Sequence, residues 1–142
     1  MSYKNLKESI KKNEGYSLKP YIDQLGFLTI GYGHLILSGE KKLIDKNINK
    51  KELEKIFLND FNKALNNFNI YLKTFTNNTK DSELLIEMIF QIGIVKVLRF
   101  QKLLNNMRKS NRFMVCFEMM SSLWYKQTPK RVKILLKKFL KK

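Results

Sequence analysis

The sequence predicts an α+β fold that is predominantly helical. Five of the six glycines lie between residues 15 and 39, in a segment rich in strand-forming side chains. Much of the remaining chain places apolar residues three and four positions apart, which is the repeat of an amphipathic helix. With 142 residues, 44% of them hydrophobic, the chain is long enough to bury the core of one domain. We therefore expect a small sheet and a larger set of helices in a single globular domain.

The first helix is expected to end near Glu14, because Gly15 stands where a helix C-cap would place it. Residues 16–37 mix strand formers with glycines, which predicts a small hairpin or sheet. Irregular backbone concentrated in one segment is typical of a functional site, because close or unusual conformations are needed there.

The rest of the chain is predicted to be helical. One long amphipathic helix is expected over residues 51–75, followed by a buried, nearly all-apolar helix that Asp81 or Ser82 would cap and Gly93 would end. Further helices are expected over residues 97–109, 110–124 and 129–142, the last because proline suits a first helical turn.

Composition and charge narrow the class of function. The 28 Lys and Arg against 12 Asp and Glu give a net charge of +16, which attracts nucleic acid, anionic lipid or an anionic cell wall. General lysine richness of the sequence is an alternative explanation for part of this charge. A lone cysteine, Cys116, is expected in the core, and with one histidine no zinc site of the usual kind can form. We therefore expect no metal and no cofactor. No apolar run suits a membrane span, and the N-terminus is too charged for a secretory signal.

The predicted C-terminal helix, over residues 129–142, is strongly amphipathic. Lysine and arginine surround an apolar stripe, which consists of Val132, Leu135, Leu136, Phe139 and Leu140. A helix of this kind can contact an anionic membrane, or it can pack its stripe into the core and leave the lysines in solvent. Both alternatives remain open.

Two carboxylates, Glu14 and Asp23, lie in the glycine-rich segment. Cleavage of a glycosidic bond needs such a pair, one to protonate the leaving oxygen and one to serve water or the sugar cation. Glu14 is at a helix C-terminus, where the helix dipole disfavours the ionised form and favours a general acid. Asp23, in a loop with exposed amides, is expected to stay ionised. The spacing alone is weak evidence, because 12 acidic residues offer such pairs by accident.

Three separated blocks carry a resemblance to a known family. The catalytic segment of phage-type lysozymes, the endolysins of glycoside hydrolase family 24, resembles Glu14-Gly15, Pro20-Tyr21-Ile22-Asp23 and Thr29-Ile30-Gly31-Tyr32-Gly33-His34. A second block is Met88-Ile89-Phe90-Gln91-Ile92-Gly93. Residues 123–131 are similar to the family's Trp-Tyr-x-Gln-Thr-Pro-x-Arg signature.

The resemblance implies a lysozyme-like, two-lobed fold within a single domain of residues 1–142. Residues 15–50 would form a small lobe with the sheet, and residues 51–75 a long connecting helix. The helical lobe would contain residues 1–14 and 76–142, with the cleft between the lobes.

The resemblance also implies roles for individual residues. Glu14 would be the general acid, Asp23 the second carboxylate, and Thr29 the hydroxyl that helps to hold the attacking water. The product would be inverted, which requires carboxyl groups about 6.5–9.5 Å apart. Saccharide-binding positions match Leu35, Phe90 and Gln91, although a core role is an equal alternative for Leu35 and Phe90.

Supporting roles follow in the same way. Arg131 matches an arginine that lies beside the acid, with a solvated helix charge as the alternative. His34 and Asp60 are expected to form a structural ion pair. The sequence departs from the family's best-known member at Leu103 and Glu118, where that member presents polar residues to the saccharide, and in a shorter small lobe.

The favoured function is a monomeric endolysin, a muramidase that cleaves the β-1,4 bond between N-acetylmuramic acid and N-acetylglucosamine in bacterial peptidoglycan and lyses the host. It would accumulate in the host cytoplasm without a signal peptide and reach the wall after holin-type release, or travel within a virion. The alternative is a non-enzymatic polycation that binds membranes or nucleic acid. No specific nucleic-acid partner is expected, because no reading motif is recognisable.

Overall fold

The computed structural model describes residues 3–45 and 48–141. The fold is α+β and predominantly helical, as predicted, with one three-stranded antiparallel sheet in the described part. The chain divides into two compact units, Met1–Lys63 and Ala64–Lys142. The predicted division into lobes stays a prediction.

The first unit begins with helix α1 (Lys4–Glu14), which buries Leu6 and Ile10. It ends at Gly15, whose N–H donates to the Lys11 carbonyl at 3.1 Å and whose φ is +74°. Because an L side chain rarely adopts that φ, glycine suits the position. The predicted end of the first helix is confirmed.

The sheet consists of β1 (Ser17–Ile22), β2 (Leu28–Gly31) and β3 (His34–Leu35), in the order β1-β2-β3. Tyr21 pairs with Thr29 in the first hairpin, and Ile30 pairs with His34 in the second. The β1–β2 register shifts between Ser17 and Tyr21. That interval contains Pro20, which has no N–H for the ladder, so an irregularity there is expected. The sheet predicted within residues 16–37 is confirmed.

Two further helices complete the first unit. A short helix that the sequence did not predict, α2 (Lys42–Asp45), precedes α3 (Lys50–Asn67), which continues into the second unit. The sheet is covered by a small apolar cluster of Ile30, Leu43, Ile48 and Leu53. The Tyr32 ring packs between Tyr16 and Phe57, with centroid distances of 5.0 and 5.4 Å.

The helix predicted over residues 51–75 changes its winding along its length. After α3 the chain forms a π-helical turn (Phe68–Leu72) and then a 3-10 turn (Lys73–Phe75). Ala64, Phe68 and Leu72 are buried at successive spacings of four, which exceed the 3.6-residue repeat of an α-helix. The wider π turn keeps Phe68 and Leu72 on one buried side.

Helix α4 (Thr79–Ile92) crosses the second unit and is buried continuously from Leu84 to Ile89. The prediction that Asp81 or Ser82 caps it is wrong. Asn78 is the N-cap, and its side-chain oxygen accepts from the Asp81 N–H at 2.9 Å. Asp81 instead accepts from the Asn77 N–H, so the two side chains satisfy separate amides at the helix start. Gly93 ends the helix, as predicted.

The two helices predicted over residues 97–109 and 110–124 are replaced by four shorter helices with different bounds. The structure has α5 (Ile94–Leu98), α6 (Gln101–Arg108), α7 (Arg112–Met120) and α8 (Leu123–Gln127). The first break places Phe100 edge-on to Trp124, with ring centroids 6.3 Å apart. At the second break, Ser122 starts a new helix by accepting from the Tyr125 N–H. Cys116 is buried, as expected.

The C-terminal helix is α9 (Pro129–Leu140), with proline in its first turn as predicted. Four residues of its apolar stripe are buried in the second unit, while Leu140 is exposed. Membrane contact through residues 129–142 stays a prediction, and insertion of the buried part of the stripe into a bilayer would require α9 to leave this packing. Lys138 forms an ion pair with the buried Glu87 of α4.

None of the helices within the described ranges is both long and apolar enough to cross a membrane.

Candidate active site

The centre of the candidate site is Glu14, the last residue of α1. Gly33, in the turn between β2 and β3, lies directly against it. A Cβ atom built on Gly33 would stand 2.6 Å from Glu14 Oε2, a distance that real Cβ atoms essentially never show. The φ of Gly33 is +82°, which also favours glycine. The carboxyl group of Glu14 therefore occupies space that any side chain at position 33 would fill.

The second carboxylate, Asp23, is fixed by the turn that joins β1 to β2. Its Oδ1 accepts from the Leu25 N–H at 2.9 Å and from the Phe27 N–H at 2.8 Å. Its own N–H donates to the Phe27 carbonyl. No other side-chain hydrogen bond to Asp23 occurs in the described residues, so Oδ2 remains available as an acceptor.

Thr29 lies two residues beyond Phe27, on β2, and its side chain is buried. Its Oγ1 donates to the Phe27 carbonyl at 3.0 Å, which leaves the oxygen lone pairs as acceptors. Asp23 and Thr29 thus both form hydrogen bonds with the backbone of Phe27, at the turn end of the first hairpin.

A network of side chains ties α1 to the turn that contains Gly33. Glu54 of α3 accepts from Lys11 Nζ at 2.5 Å and from the Tyr32 hydroxyl at 2.7 Å. The bond from Lys11 is the main reason that the pKa of Glu54 is lowered. Burial and the bond to Glu54 raise the pKa of Tyr32 to about 12. Lys11 is one turn before Glu14 and Tyr32 is next to Gly33, so the network holds both sides of that contact.

His34 and Asp60 are in contact, as the sequence predicted. His34 Nδ1 is 2.7 Å from Asp60 Oδ2, and Nε2 is 3.0 Å from Glu40 Oε1. The bond to Asp60 raises the pKa of His34, although burial opposes it. Burial alone would raise the pKa of Glu40, but the Leu37 amide and His34 outweigh it and lower that pKa. A purely structural role for the pair stays a prediction.

The other predicted site residues are divided between the two units. Leu35 is 46% exposed on β3, so a core role is wrong for it. Phe90 and Gln91 lie in the last turn of α4, and Arg131 is half-buried in the first turns of α9. Gln91 Oε1 is buried and accepts no hydrogen bond within the described residues. Their roles stay predictions.

Two positions that depart from the family pattern differ in exposure. Leu103 is fully buried in α6 and offers no surface to a saccharide. Glu118 is half-buried in α7. The altered saccharide contacts expected from these residues remain a prediction.

No group of three or more His, Cys, Asp or Glu side chains within residues 3–45 and 48–141 is placed to hold a metal ion.

Comparison with known proteins decides the family. Residues 11–139 match the family described as Phage lysozyme. The chain belongs to the phage lysozyme family. It is 33% identical to "Probable T4-type lysozyme 2" and 32% identical to "Probable T4-type lysozyme 1", both of Dictyostelium discoideum. Each alignment covers 89% of this chain and 88% of the relative. Membership makes the protein a muramidase-like glycosidase.

Several residues around the candidate site make contacts that the sequence did not predict. Gly33 and Tyr32 lie inside a block that resembles the family, but nothing in the neighbouring sequence predicts that Gly33 contacts Glu14 or that Tyr32 contacts Glu54. Lys11, Glu54 and Glu40 were not singled out at all. Glu54 is 43 residues from Lys11 and 22 from Tyr32, and no periodic pattern encodes such pairings.

Proposed function

We propose that this protein is a muramidase that hydrolyses the β-1,4 glycosidic bond between N-acetylmuramic acid and N-acetylglucosamine in bacterial peptidoglycan, with inversion. The observation that carries the proposal is the Glu14 carboxyl group at the end of α1, against a glycine that leaves it room. Membership of the phage lysozyme family supports peptidoglycan as the substrate class.

In the proposed reaction Glu14 begins protonated and Asp23 ionised. Glu14 donates its proton to the glycosidic oxygen, the bond from that oxygen to the anomeric carbon breaks, and the leaving saccharide departs as an alcohol. Water attacks the anomeric carbon from the opposite face and gives its proton to Asp23. The product is a hemiacetal of inverted configuration. Proton exchange with solvent restores both carboxyl groups.

The hydrogen bonds at Asp23 and Thr29 support the second half of this reaction. The Leu25 and Phe27 backbone amides donate to Oδ1 and hold the carboxylate in place, which leaves Oδ2 to receive the proton from water. The Thr29 hydroxyl donates to Phe27, so it can only accept from that water, which fixes how the water is oriented.

The test compares Glu14→Gln and Asp23→Asn with wild type on purified peptidoglycan, measured as reducing ends released. Loss of a general acid or base should lower the rate by about 100-fold to 10,000-fold. Glu8→Gln is the matched control, because Glu8 is exposed on the same helix and loses the same charge. Circular dichroism checks folding. A Glu14→Gln rate equal to that of Glu8→Gln would contradict the proposal.

The same variants separate enzymatic from non-enzymatic killing. If Glu14→Gln clears outer-membrane-permeabilised bacteria as fast as wild type, lysis is caused by the polycation alone. The stereochemical part is tested by proton NMR of fresh digests. An α-anomer that appears first supports inversion, whereas a β-anomer that appears first would mean that the enzyme is a retaining glycosidase.

For its biological setting we propose a monomeric endolysin that acts on the host wall after a separate pore-forming protein opens the membrane, or on entry within a virion. The relatives in Dictyostelium discoideum mean that family membership alone does not imply a phage source. Expression in Escherichia coli with and without a pore-forming protein tests release. Lysis that needs no pore would contradict it.

A further inference from the structure

Helix α7 is apolar on two sides. Of its nine residues only Arg112 and Glu118 are polar or charged. Val115, Cys116 and Met119 are buried in the second unit. On the other side Phe113, Phe117 and Met120 are 76%, 51% and 52% exposed. A helix that is apolar all round is normally buried all round, so one face of α7 is unpartnered in the described part of the chain.

The exposed side chains form one continuous strip along the helix. Phe113, Phe117 and Met120 follow spacings of four and three, which place them on a single narrow arc. Leu123, which begins α8 three residues later, is 67% exposed. We call these four residues the α7 stripe. Large apolar side chains clustered on a surface usually mark an interaction site.

Positive charge surrounds this stripe in the sequence. Residues 94–142 contain fourteen Lys and Arg but only one acidic residue, Glu118. Lys109 precedes the stripe and Lys126 follows it, and both are exposed. An occupant that offers negative charge and an apolar layer together would match both the stripe and the lysines at its two ends.

An anionic lipid bilayer offers both. Its headgroups attract lysine and arginine, and its acyl boundary accepts Phe, Met and Leu side chains. A second copy of the chain would bring two cationic surfaces together, which is unfavourable. Nucleic acid would satisfy the charges, but Met120 and Leu123 cannot stack on bases. The stripe of α9, by contrast, is already largely buried. We propose that the α7 stripe is a docking surface for an anionic lipid bilayer.

The test is co-sedimentation of the full chain with vesicles at about 0.1 M NaCl, where charges are partly screened. Vesicles of phosphatidylcholine alone are compared with a three-to-one mixture of phosphatidylcholine and phosphatidylglycerol. Wild type should bind the mixture and not the neutral lipid. The double variant Phe113→Gln, Phe117→Gln should bind the mixture at least about tenfold more weakly, because two inserted rings are lost.

The matched control is Ile70→Gln, Tyr71→Gln. These residues are 62% and 51% exposed in the same unit, so the variant removes exposed apolar surface without changing charge or α7. It should bind within about twofold of wild type, the difference expected from surface changes away from an interface. All three proteins should release reducing ends from soluble peptidoglycan fragments at equal rates, since none alters the candidate active site.

Three outcomes would overturn the proposal. The first is failure of wild type to bind anionic vesicles, and the second is equal binding by the phenylalanine variant, which would mean electrostatic adsorption alone. The third is a different occupant. Binding of a short DNA duplex that depends on Phe113 and Phe117, without vesicle binding, would assign the stripe to nucleic acid. A dimer in sedimentation velocity that the variant abolishes would assign it to a second copy.

Discussion

Gly33 has no side chain, and the space that a methyl group would fill belongs to the Glu14 carboxyl group. Gly33→Ala should therefore displace Glu14 and lower the rate of reducing-end release by about tenfold or more, since small misplacement of a catalytic group is costly. Its positive φ should also cost about 1–2 kcal/mol of stability.

Gly93→Ala is the control for backbone strain. Gly93 has a φ of +84°, close to the +82° of Gly33, but nothing lies within 4 Å of its would-be Cβ atom. Urea unfolding should show similar losses of stability in the two variants. Only Gly33→Ala should also lower the rate of reducing-end release. Equal activities would mean that the Gly33–Glu14 contact has no catalytic importance.

His34 is the only histidine in the sequence, and it lies between Asp60 and Glu40. Its raised pKa means that the folded protein holds the imidazole proton more tightly than the unfolded chain, in which the pKa is near 6.5. The resulting stabilisation is complete below that pH and is lost as the pH rises through the folded pKa.

The free energy of unfolding should consequently fall in wild type as the pH rises above about 6.5, and the fall should be smaller in His34→Gln. Urea unfolding at a series of pH values measures both. His34→Gln should keep most of the wild-type rate of reducing-end release although its free energy of unfolding is lower, as expected if the His34–Asp60 pair is structural. Identical pH profiles for the two proteins would contradict this account.

At the scale of elements, the cap of α4 makes a specific prediction. Asn78 accepts a hydrogen bond from the Asp81 N–H, so Asn78→Ala should lower the free energy of unfolding by about 1 kcal/mol. Asn105→Ala is the control, because Asn105 is exposed within α6 and its side chain makes no hydrogen bond in the described residues. It should change stability by about 0.5 kcal/mol or less. Thermal unfolding of both variants decides the matter.

The number of helices was harder to predict than their location. Apolar spacing located the helical regions, because burial of one face imposes that spacing on the sequence. It did not locate the breaks near Phe100 and Ser122, which depend on packing against Trp124 and on a serine cap. Asp81 and Ser82 looked as good a cap as Asn78, because all three residue types cap helices. The α2 helix is too short for any periodic signal.

The candidate site, too, could be predicted from the sequence only in part. Glu14, Asp23 and Thr29 could be singled out because each stands in a recognised block. The glycine packed against Glu14, and the Lys11–Glu54–Tyr32 network beside it, needed the three-dimensional structure. These contacts join residues far apart in sequence, and their energetic value depends on distances that a sequence does not contain.

Across the whole molecule, the excess of positive charge is distributed unequally between the two units. Met1–Lys63 contains twelve basic and eight acidic residues, and Ala64–Lys142 contains sixteen and four. Activity on anionic cell-wall sacculi should therefore fall as NaCl rises from about 0.05 to 0.5 M, because screening weakens the attraction.

A variant with less charge sharpens that prediction. Lys133→Gln, Lys137→Gln removes two exposed charges from α9 and should give lower activity at low salt, with a flatter salt dependence. Lys51→Gln, Lys55→Gln, on exposed positions of α3, is the control from the first unit and should have the smaller effect. A salt profile that is level in wild type would mean that charge does not guide the enzyme to the wall.

The placement of two rare residues gives each unit its own spectroscopic reporter. The only histidine, His34, lies in the first unit, and the only tryptophan, Trp124, is buried in the second. Imidazole proton resonances follow the first unit, and indole fluorescence follows the second, in the unlabelled wild-type chain. Denaturation monitored by both signals will therefore tell whether the two halves melt as one cooperative body or in sequence.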